Sequence, residues 1–184
     1  IVQGEDGTPE AQLNPGANGA AWFVDSVRLV DGPDAEIAAL GGLDTKTVAV
    51  VDKPFASLVE NVAPAADSAA RIAMTEYRVN LQRYEYTAAA PGVAVFSEIY
   101  YPKGWTAYLD GVEAPYFHAD YVLRAMVLPA GTHTVEFRFR APHYELLSSL
   151  TLISSLLLLG GVAAVAGAAG YRAYKKRKDN DGQQ

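Results

Sequence analysis

Three histidines, His118, His133 and His143, supply every imidazole of the 184-residue chain, and no two of them form an HxH or HxxxH pair. Zinc needs ligands that converge and a further set of hydrogen-bonding groups to orient them, so this spacing names no metal site. The chain has no cysteine, which removes disulfides, thiolate chemistry and Cys-ligated zinc together. No G-x-S-x-G stands where a strand would turn into a helix, and the glycines around Gly41 do not follow a phosphate-loop pattern. The sequence therefore names no catalytic residue, no metal and no cofactor.

Binding chemistry has more support. Tyr100, Tyr101, Trp105, Tyr108, Tyr116 and Tyr121 gather around turns. Such rings can stack on the apolar faces of sugars, with nearby carboxylates and guanidinium groups taking the hydroxyls. They can equally fill a sheet core. Arg124 interrupts an otherwise apolar run of Val122, Leu123, Ala125 and Met126. It could hold the phosphate of a lipid carrier through its planar fork, or pair with Asp120 for ~0–1 kcal/mol if exposed. Both pairs of readings stay open from the residues alone. The candidate contacts for a glycan or lipid carrier are Tyr100, Tyr101, Trp105, Tyr121 and Arg124.

The elements that must position these groups are mostly strands. Residues 1–19 are rich in Gly, Pro, Asn and acids and read as loop. Residues 22–29 alternate with a strand period. Asp31-Gly32-Pro33-Asp34 reads as a helix start, with Pro early and acids in the first turn. Ile37 and Leu40 give that helix one apolar face, Gly41-Gly42 ends it, and residues 47–51 form a β-branched strand. A connector through Pro54 and Pro64 completes a strand–helix–strand lead-in over residues 20–69.

Residues 70–142 read as short strands at 71–79, 82–88, 93–100, 105–109, 112–116, 121–128 and 133–140, separated by turns. Asp110-Gly111 is the strongest hairpin signal, because a type I′ turn needs positive φ at both central residues. His133, Val135, Phe137 and Phe139 face one way, and Thr134, Glu136, Arg138 and Arg140 the other. A turn-stabilising hydrogen bond is the expected role of His133, which opens this strand. The expected fold is mainly β, an antiparallel sandwich of jelly-roll or immunoglobulin-like type, with the small α/β part in front.

Residues 146–170 carry no charge, and Arg172, Lys175, Lys176, Arg177 and Lys178 follow. A bilayer core of about 30 Å needs about 20 apolar residues in a helix, so this stretch is expected to span a membrane. The positive-inside rule places the basic tail, residues 171–184, in the cytoplasm and everything before residue 145 outside it. Tyr144, Tyr171 and Tyr174 are placed as interfacial anchors beside Lys175, Lys176, Arg177 and Lys178. Gly160, Ala164, Gly167 and Gly170 mark a stripe of small residues on which another helix could pack.

Charge divides the same way. Residues 1–144 hold ten Lys and Arg against eighteen Asp and Glu, whereas the remainder holds five against three. An acidic body argues against nucleic acid as a partner, since phosphate backbones are bound by Lys and Arg clusters. The basic tail suits anionic headgroups of a lipid bilayer. The opening residues lack the basic and apolar regions of a signal peptide. A cleaved signal or a set of membrane helices is therefore expected ahead of Ile1.

Phe96-Ser97-Glu98-Ile99-Tyr100-Tyr101-Pro102-Lys103-Gly104-Trp105, continuing through AYLDGVEAP, resembles the C-terminal region of the YfhO family of bacterial integral membrane proteins. Tyr121-Val122-Leu123-Arg124-Ala125, Leu128-Pro129-Ala130-Gly131-Thr132-His133, Ala21-Trp22-Phe23-Val24 and Ala49-Val50-Val51-Asp52 extend the likeness. The resemblance implies a large polytopic parent similar to GT-C-like glycosyltransferases. Such a parent would transfer sugar from a polyprenyl-phosphate carrier to a cell-envelope acceptor at the outer face of the cytoplasmic membrane. In that family the acidic catalytic residues lie between early membrane helices, so the resemblance assigns this chain no catalytic role. The expected partners are the lipid bilayer, other helices of the parent, and a polyprenyl-linked sugar or envelope glycan. The alternative expectation is a single-span, membrane-anchored surface module that binds glycan or protein.

Overall fold

The computed structural model describes residues 2–3, 9–10, 14, 16–62 and 69–181. They divide into two compact units, residues 1–140 and residues 141–184. The first unit is an antiparallel β-sandwich with a small parallel strand pair against it; the second is a single long helix.

The chain opens with a minimal antiparallel ladder, β1 (Val2–Gln3) on β2 (Pro9–Glu10). The alternating run at 22–29 is two strands, not one. β3 (Ala21–Val24) pairs antiparallel with β8 (Gly92–Ile99), while β4 (Ser26–Val30) pairs parallel with β5 (Val48–Asp52). The break falls at Asp25, where the amides of Asp25 and Ser26 both donate to the Thr47 carbonyl at 2.8 and 3.1 Å. Periodicity alone cannot reveal that a strand changes partner midway.

Between β4 and β5 runs α1 (Pro33–Leu40), which starts at Gly32-Pro33 with Asp34 and Glu36 in its first turn. Its inward residue is not apolar. Ile37 is half exposed at 50% whereas Glu36 is fully buried, because the Glu36 carboxylate takes the backbone amide of Tyr121 at 2.9 Å. The stretch after β5, expected as plain connector, contains a 3-10 turn at Lys53–Phe55 and the short helix α2 (Ala56–Val59).

The two sandwich sheets come from the rest of the unit. One has the order β10 (Val112–Ala114), β9 (Trp105–Leu109), β13 (Gly131–Phe139), β7 (Leu81–Ala88), β6 (Arg71–Arg78). The other has the order β11 (Phe117–Ala119), β12 (Leu123–Leu128), β8, β3. Asp110 and Gly111 have φ of 50° and 82°, and Leu109 pairs with Val112 across them, as the type I′ turn requires.

The strand expected at 121–128 begins two residues later. Asp120 and Tyr121 hold φ of 49° and 70°, a left-handed pair that ends β11 and turns the chain into β12. β11 itself was not foreseen, since its three residues are too few to show a period.

The sheets bury Tyr84, Phe96, Met126, Leu128, Val135 and Phe137 between them. Rings meet edge to face there, Tyr84 on Phe96 at 4.9 Å and Phe96 on Phe137 at 5.0 Å, the geometry the ring quadrupoles favour. The four-stranded sheet is covered on its other face as well, where Val93, Val95, Phe117, Ala119 and Ala125 pack with Ala49, Val51 and Val59. The lead-in thus completes the sandwich unit as a third layer instead of standing apart.

α3 (Tyr144–Asp181) is continuous through the expected tail. Its apolar part, Leu146–Arg172, is 27 residues long with mean hydropathy 2.1. At 1.5 Å per residue that is about 40 Å, more than the ~30 Å of a bilayer core. Leu150, Ile153, Leu157 and Val165 are all more than half exposed. Ser and Thr hydroxyls along it turn back on the helix, Thr151 to the Leu147 carbonyl at 2.9 Å and Ser155 to that of Thr151 at 2.8 Å. In hydrocarbon, a polar group can be satisfied only within the protein. Among the described residues, one helix is long and apolar enough to cross a membrane.

Candidate functional site

The predicted contact residues gather at one end of the sandwich, but not as one surface. Arg124 lies between the sheets and is only 2% exposed. Its Nε donates to the Ile99 carbonyl at 2.9 Å and one terminal nitrogen donates to Gln82 Oε1 at 2.8 Å. The guanidinium lies 4.3 Å from the Trp105 ring centroid and 5.0 Å from that of Phe137. Burial lowers its pKa and the field of Glu98 works the other way. A guanidinium so enclosed is a structural strut packed against two rings, and the phosphate-binding role raised for it finds no opening to solvent.

Trp105 stacks on Phe139 at 5.3 Å and packs against the core. Tyr100 joins Tyr116 at 5.3 Å, His118 at 5.6 Å and Phe55 at 6.1 Å. The Tyr116 hydroxyl donates toward the Tyr101 and Trp105 carbonyls at 3.3 and 3.2 Å. Tyr101 and Tyr121 are the outward members, 50% and 41% exposed. The structure brings Trp105 and Arg124 together in the interior and leaves the two exposed tyrosines at its surface.

Two buried carboxylates lie behind Tyr121. Asp120 accepts the Val50 amide at 2.8 Å through Oδ1, and its own amide donates to the Val50 carbonyl at 2.8 Å. This reciprocal pair fastens β5 to the end of β11. Burial pushes the Asp120 carboxyl up to about 6, the Val50 amide opposes that, and Glu36 raises it further. His118 lies beside Glu36, its Nδ1 3.5 Å from Glu36 Oε2 and its Nε2 against the Tyr121 carbonyl. Glu36 Oε2 and Asp120 Oδ2 are buried without a hydrogen-bond partner among the described residues. Sequence reading missed this cluster, whose members lie on α1, β11 and the following turn. Among the described residues no group of three or more His, Cys, Asp or Glu is placed to hold a metal.

His133 has the turn-stabilising position expected for it. One ring nitrogen meets Asp110 Oδ2 at 2.6 Å and the other the Ala130 carbonyl at 3.1 Å. Both bonds favour the protonated ring, Asp110 most, and they raise its pKa. Asp110 in turn accepts the Thr134 amide at 2.9 Å, and that bond, with the His133 contact, lowers its pKa.

The open face of the five-stranded sheet carries the other concentration of charge. Cross-strand register sets Glu136 opposite Arg83 and Arg83 opposite Glu76. Arg83 donates to Glu136 at 2.7 Å and pairs with Glu76 at 2.5 Å. Arg78 reaches Glu76 at 2.6 Å, and Arg138 closes the row on Glu136. Burial pushes the Glu136 pKa upward, yet the hydrogen bonds from Arg83 and Arg138 outweigh it and the group lies below the usual carboxylate range. Beside this row a groove of about 620 Å³ is lined by Arg78, Asn80, Thr106, Tyr108, Arg138 and Arg140 among others. The alternation that puts Arg138 and Arg140 on one face is visible in the sequence; Arg78 arrives through strand pairing, which is not.

On α3, a Cβ built at Gly160, Gly167 or Gly170 meets nothing within 4 Å beyond the helix's own backbone; Ala164 lies on the same exposed helix. Tyr144, Tyr171 and Lys175 are exposed near its ends. The side chains of Tyr174, Lys176, Arg177 and Lys178 lie outside the described residues. No family model, no curated protein and no solved structure matches this chain.

Proposed function

We propose that this chain is the C-terminal, non-catalytic sandwich and last membrane helix of a YfhO-like polytopic protein of the bacterial cytoplasmic membrane. In this reading the sandwich lies outside the cytoplasm and shapes the site where sugar passes from a polyprenyl-phosphate carrier to an envelope acceptor. The observation that carries it is the pairing of an exposed 27-residue apolar helix with basic residues beyond its far end. The positive-inside rule then puts the sandwich on the outer side. Open space beside Gly160, Gly167 and Gly170 supports helix packing within a larger bundle, because small residues let backbones approach closely. The run from Phe96 to Trp105 supplies the family resemblance.

The test is made in the parent gene. Deleting residues 20–142 in frame is expected to abolish sugar transfer while the parent's membrane helices still insert. The isolated chain, given carrier and acceptor, is expected to transfer nothing. Transfer by the isolated chain, or full activity after the deletion, overturns the reading.

The exposed Tyr101 and Tyr121 favour one second reading, a single-span surface module that binds glycan through those rings. A reading frame with one cleavable signal and no further hydrophobic spans would select it.

A further inference from the structure

We infer that the arginine-lined groove on the open sheet face is a binding site for the phosphate headgroup of an anionic membrane lipid. The groove, about 620 Å³ in volume, has Arg78, Arg138 and Arg140 on its walls and no carboxylate among its lining residues. This concentration stands on a body whose acids outnumber its bases eighteen to ten. The row beside the groove holds Arg78, Arg83 and Arg138 against Glu76 and Glu136, and the field of Glu85 also reaches Arg83.

The arginines are held in place before any ligand arrives. Arg138 lies over the Tyr108 ring at 4.5 Å, and its Nε, at 2.8 Å, and one terminal nitrogen both donate to Glu136. Arg78 is held through Nε by Glu76 at 2.6 Å. The Arg140 backbone is fixed by its amide, which donates to the Gly104 carbonyl at 2.8 Å. Gly104 allows that approach: it holds φ of 114°, and a Cβ there would fall 2.7 Å from the Phe139 ring and 3.0 Å from the Arg140 carbonyl.

Arg138 and Arg78 both stand level with Leu81 on the strand between them, so their Cα atoms are two strand spacings apart, about 10 Å. Two arginine side chains across that gap can share one phosphate through the N–H groups that Glu136 and Glu76 leave unused. Asn80, Thr106 and Tyr108 add neutral hydrogen-bonding groups for ester or headgroup atoms.

Lipid is preferred over a soluble anion because of the tether. Residues 141–143 alone separate Arg140 from α3, so the groove belongs to a domain held at a bilayer surface. A cation within a Debye length of anionic headgroups is drawn to them, and the attraction fades beyond it. The inference rests on the membrane helix and not on the family resemblance or on any transferase activity.

The experiment is calorimetric titration of the full chain in neutral detergent with dihexanoyl phosphatidate, dihexanoyl phosphatidylcholine and inorganic phosphate. Phosphatidate is expected to bind at least tenfold more tightly than either of the others. The double variant Arg138→Gln/Arg140→Gln is expected to weaken phosphatidate at least tenfold, and Arg78→Gln alone several-fold. Lys53→Gln, which removes a positive charge outside the groove, is expected to leave binding unchanged. Unchanged affinity in both groove variants overturns the site. Equal affinity for inorganic phosphate overturns the lipid assignment. Because Arg78→Gln alters only the rim beside the β6–β7 turn, it keeps the test decisive if the double variant fails to fold. Loss of sugar transfer in the parent would not move any of these readings.

Discussion

The two sheets of the sandwich handle charge in opposite ways. The four-stranded sheet is covered on both faces, and the charged groups inside it or at its edge, Arg124, Asp120 and Glu36, are almost wholly buried. Each makes backbone or amide hydrogen bonds within the fold, and one oxygen of Glu36 and one of Asp120 have no partner among the described residues. The five-stranded sheet is covered on one face only, and its arginines and glutamates alternate across the open side. A covered charge must be satisfied by the fold or it costs several kcal/mol, so it becomes structure. A charge on an open face can keep part of its bonding capacity for something else. Arginines of one chain therefore divide by location: Arg124 braces, while Arg78, Arg138 and Arg140 surround a groove.

The sharpest way to break that contrast uses one strand. Phe137 and Thr134 lie on opposite faces of β13. Phe137 is completely buried among Tyr84, Phe96 and Tyr116. Phe137→Ala is expected to cost about 3–5 kcal/mol, the usual loss for a buried aromatic and the cavity it leaves. Thr134→Ala, on the polar face, is expected to stay within about 0.5 kcal/mol. Thermal melts of the full chain in detergent would show the difference, and similar midpoints for the two variants would mean the faces are not as unequal as described.

A second test separates the buried acids from the open ones. Burial holds the Asp120 carboxyl up at about 6 in the folded chain, against 3.8 for a free carboxyl. A carboxyl raised on folding binds its proton more readily in the native state. Its stabilising effect is thus complete below the unfolded pKa and is lost as pH rises toward the folded one. The loss between about pH 4 and 6 is on the order of 2–3 kcal/mol. Asp120→Asn keeps an oxygen for the Val50 amide and has no proton to lose. Its stability relative to the parent sequence should therefore improve steadily from pH 4 to pH 6.5. A constant difference across that range would show that Asp120 is not the titrating group. Glu136, held below the usual range by two arginines, carries the opposite sign: its contribution is present at neutral pH and falls away in acid.

How much of this was legible beforehand depends on the range of the interaction. Asp110-Gly111 declares its turn because two adjacent residues suffice to set positive φ. The β13 face pattern declares itself because period two is written in nine consecutive residues. The apolar helix is legible from length and the absence of charge. What sequence could not show is set by partners far along the chain. The break at Asp25 exists because Thr47 offers its carbonyl, and Glu36 turns inward because Tyr121 presents an amide 85 residues later. Arg124 is visible in the sequence as a charge within an apolar strand, yet only the facing rings of Trp105 and Phe137 decide that it is a brace.

The smallest expected effect tests whether the open-face row contributes to stability or to positioning. Glu76 ties Arg78 at 2.6 Å and Arg83 at 2.5 Å, and those arginine side chains are 69% and 37% exposed. Exposed pairs stabilise little because water screens the attraction and ordering two long side chains opposes it. Glu76→Gln is therefore expected to lower the melting midpoint by less than about 4 °C, and by less still at 1 M salt, where the Debye length is about 3 Å. If the row serves to aim Arg78 at a ligand, the same variant should weaken phosphatidate binding more than it weakens the fold. Removing a nearby negative charge would by itself strengthen anion binding, so a loss of affinity in Glu76→Gln has only the positioning explanation. A gain would show that Glu76 acts on the groove through its charge alone.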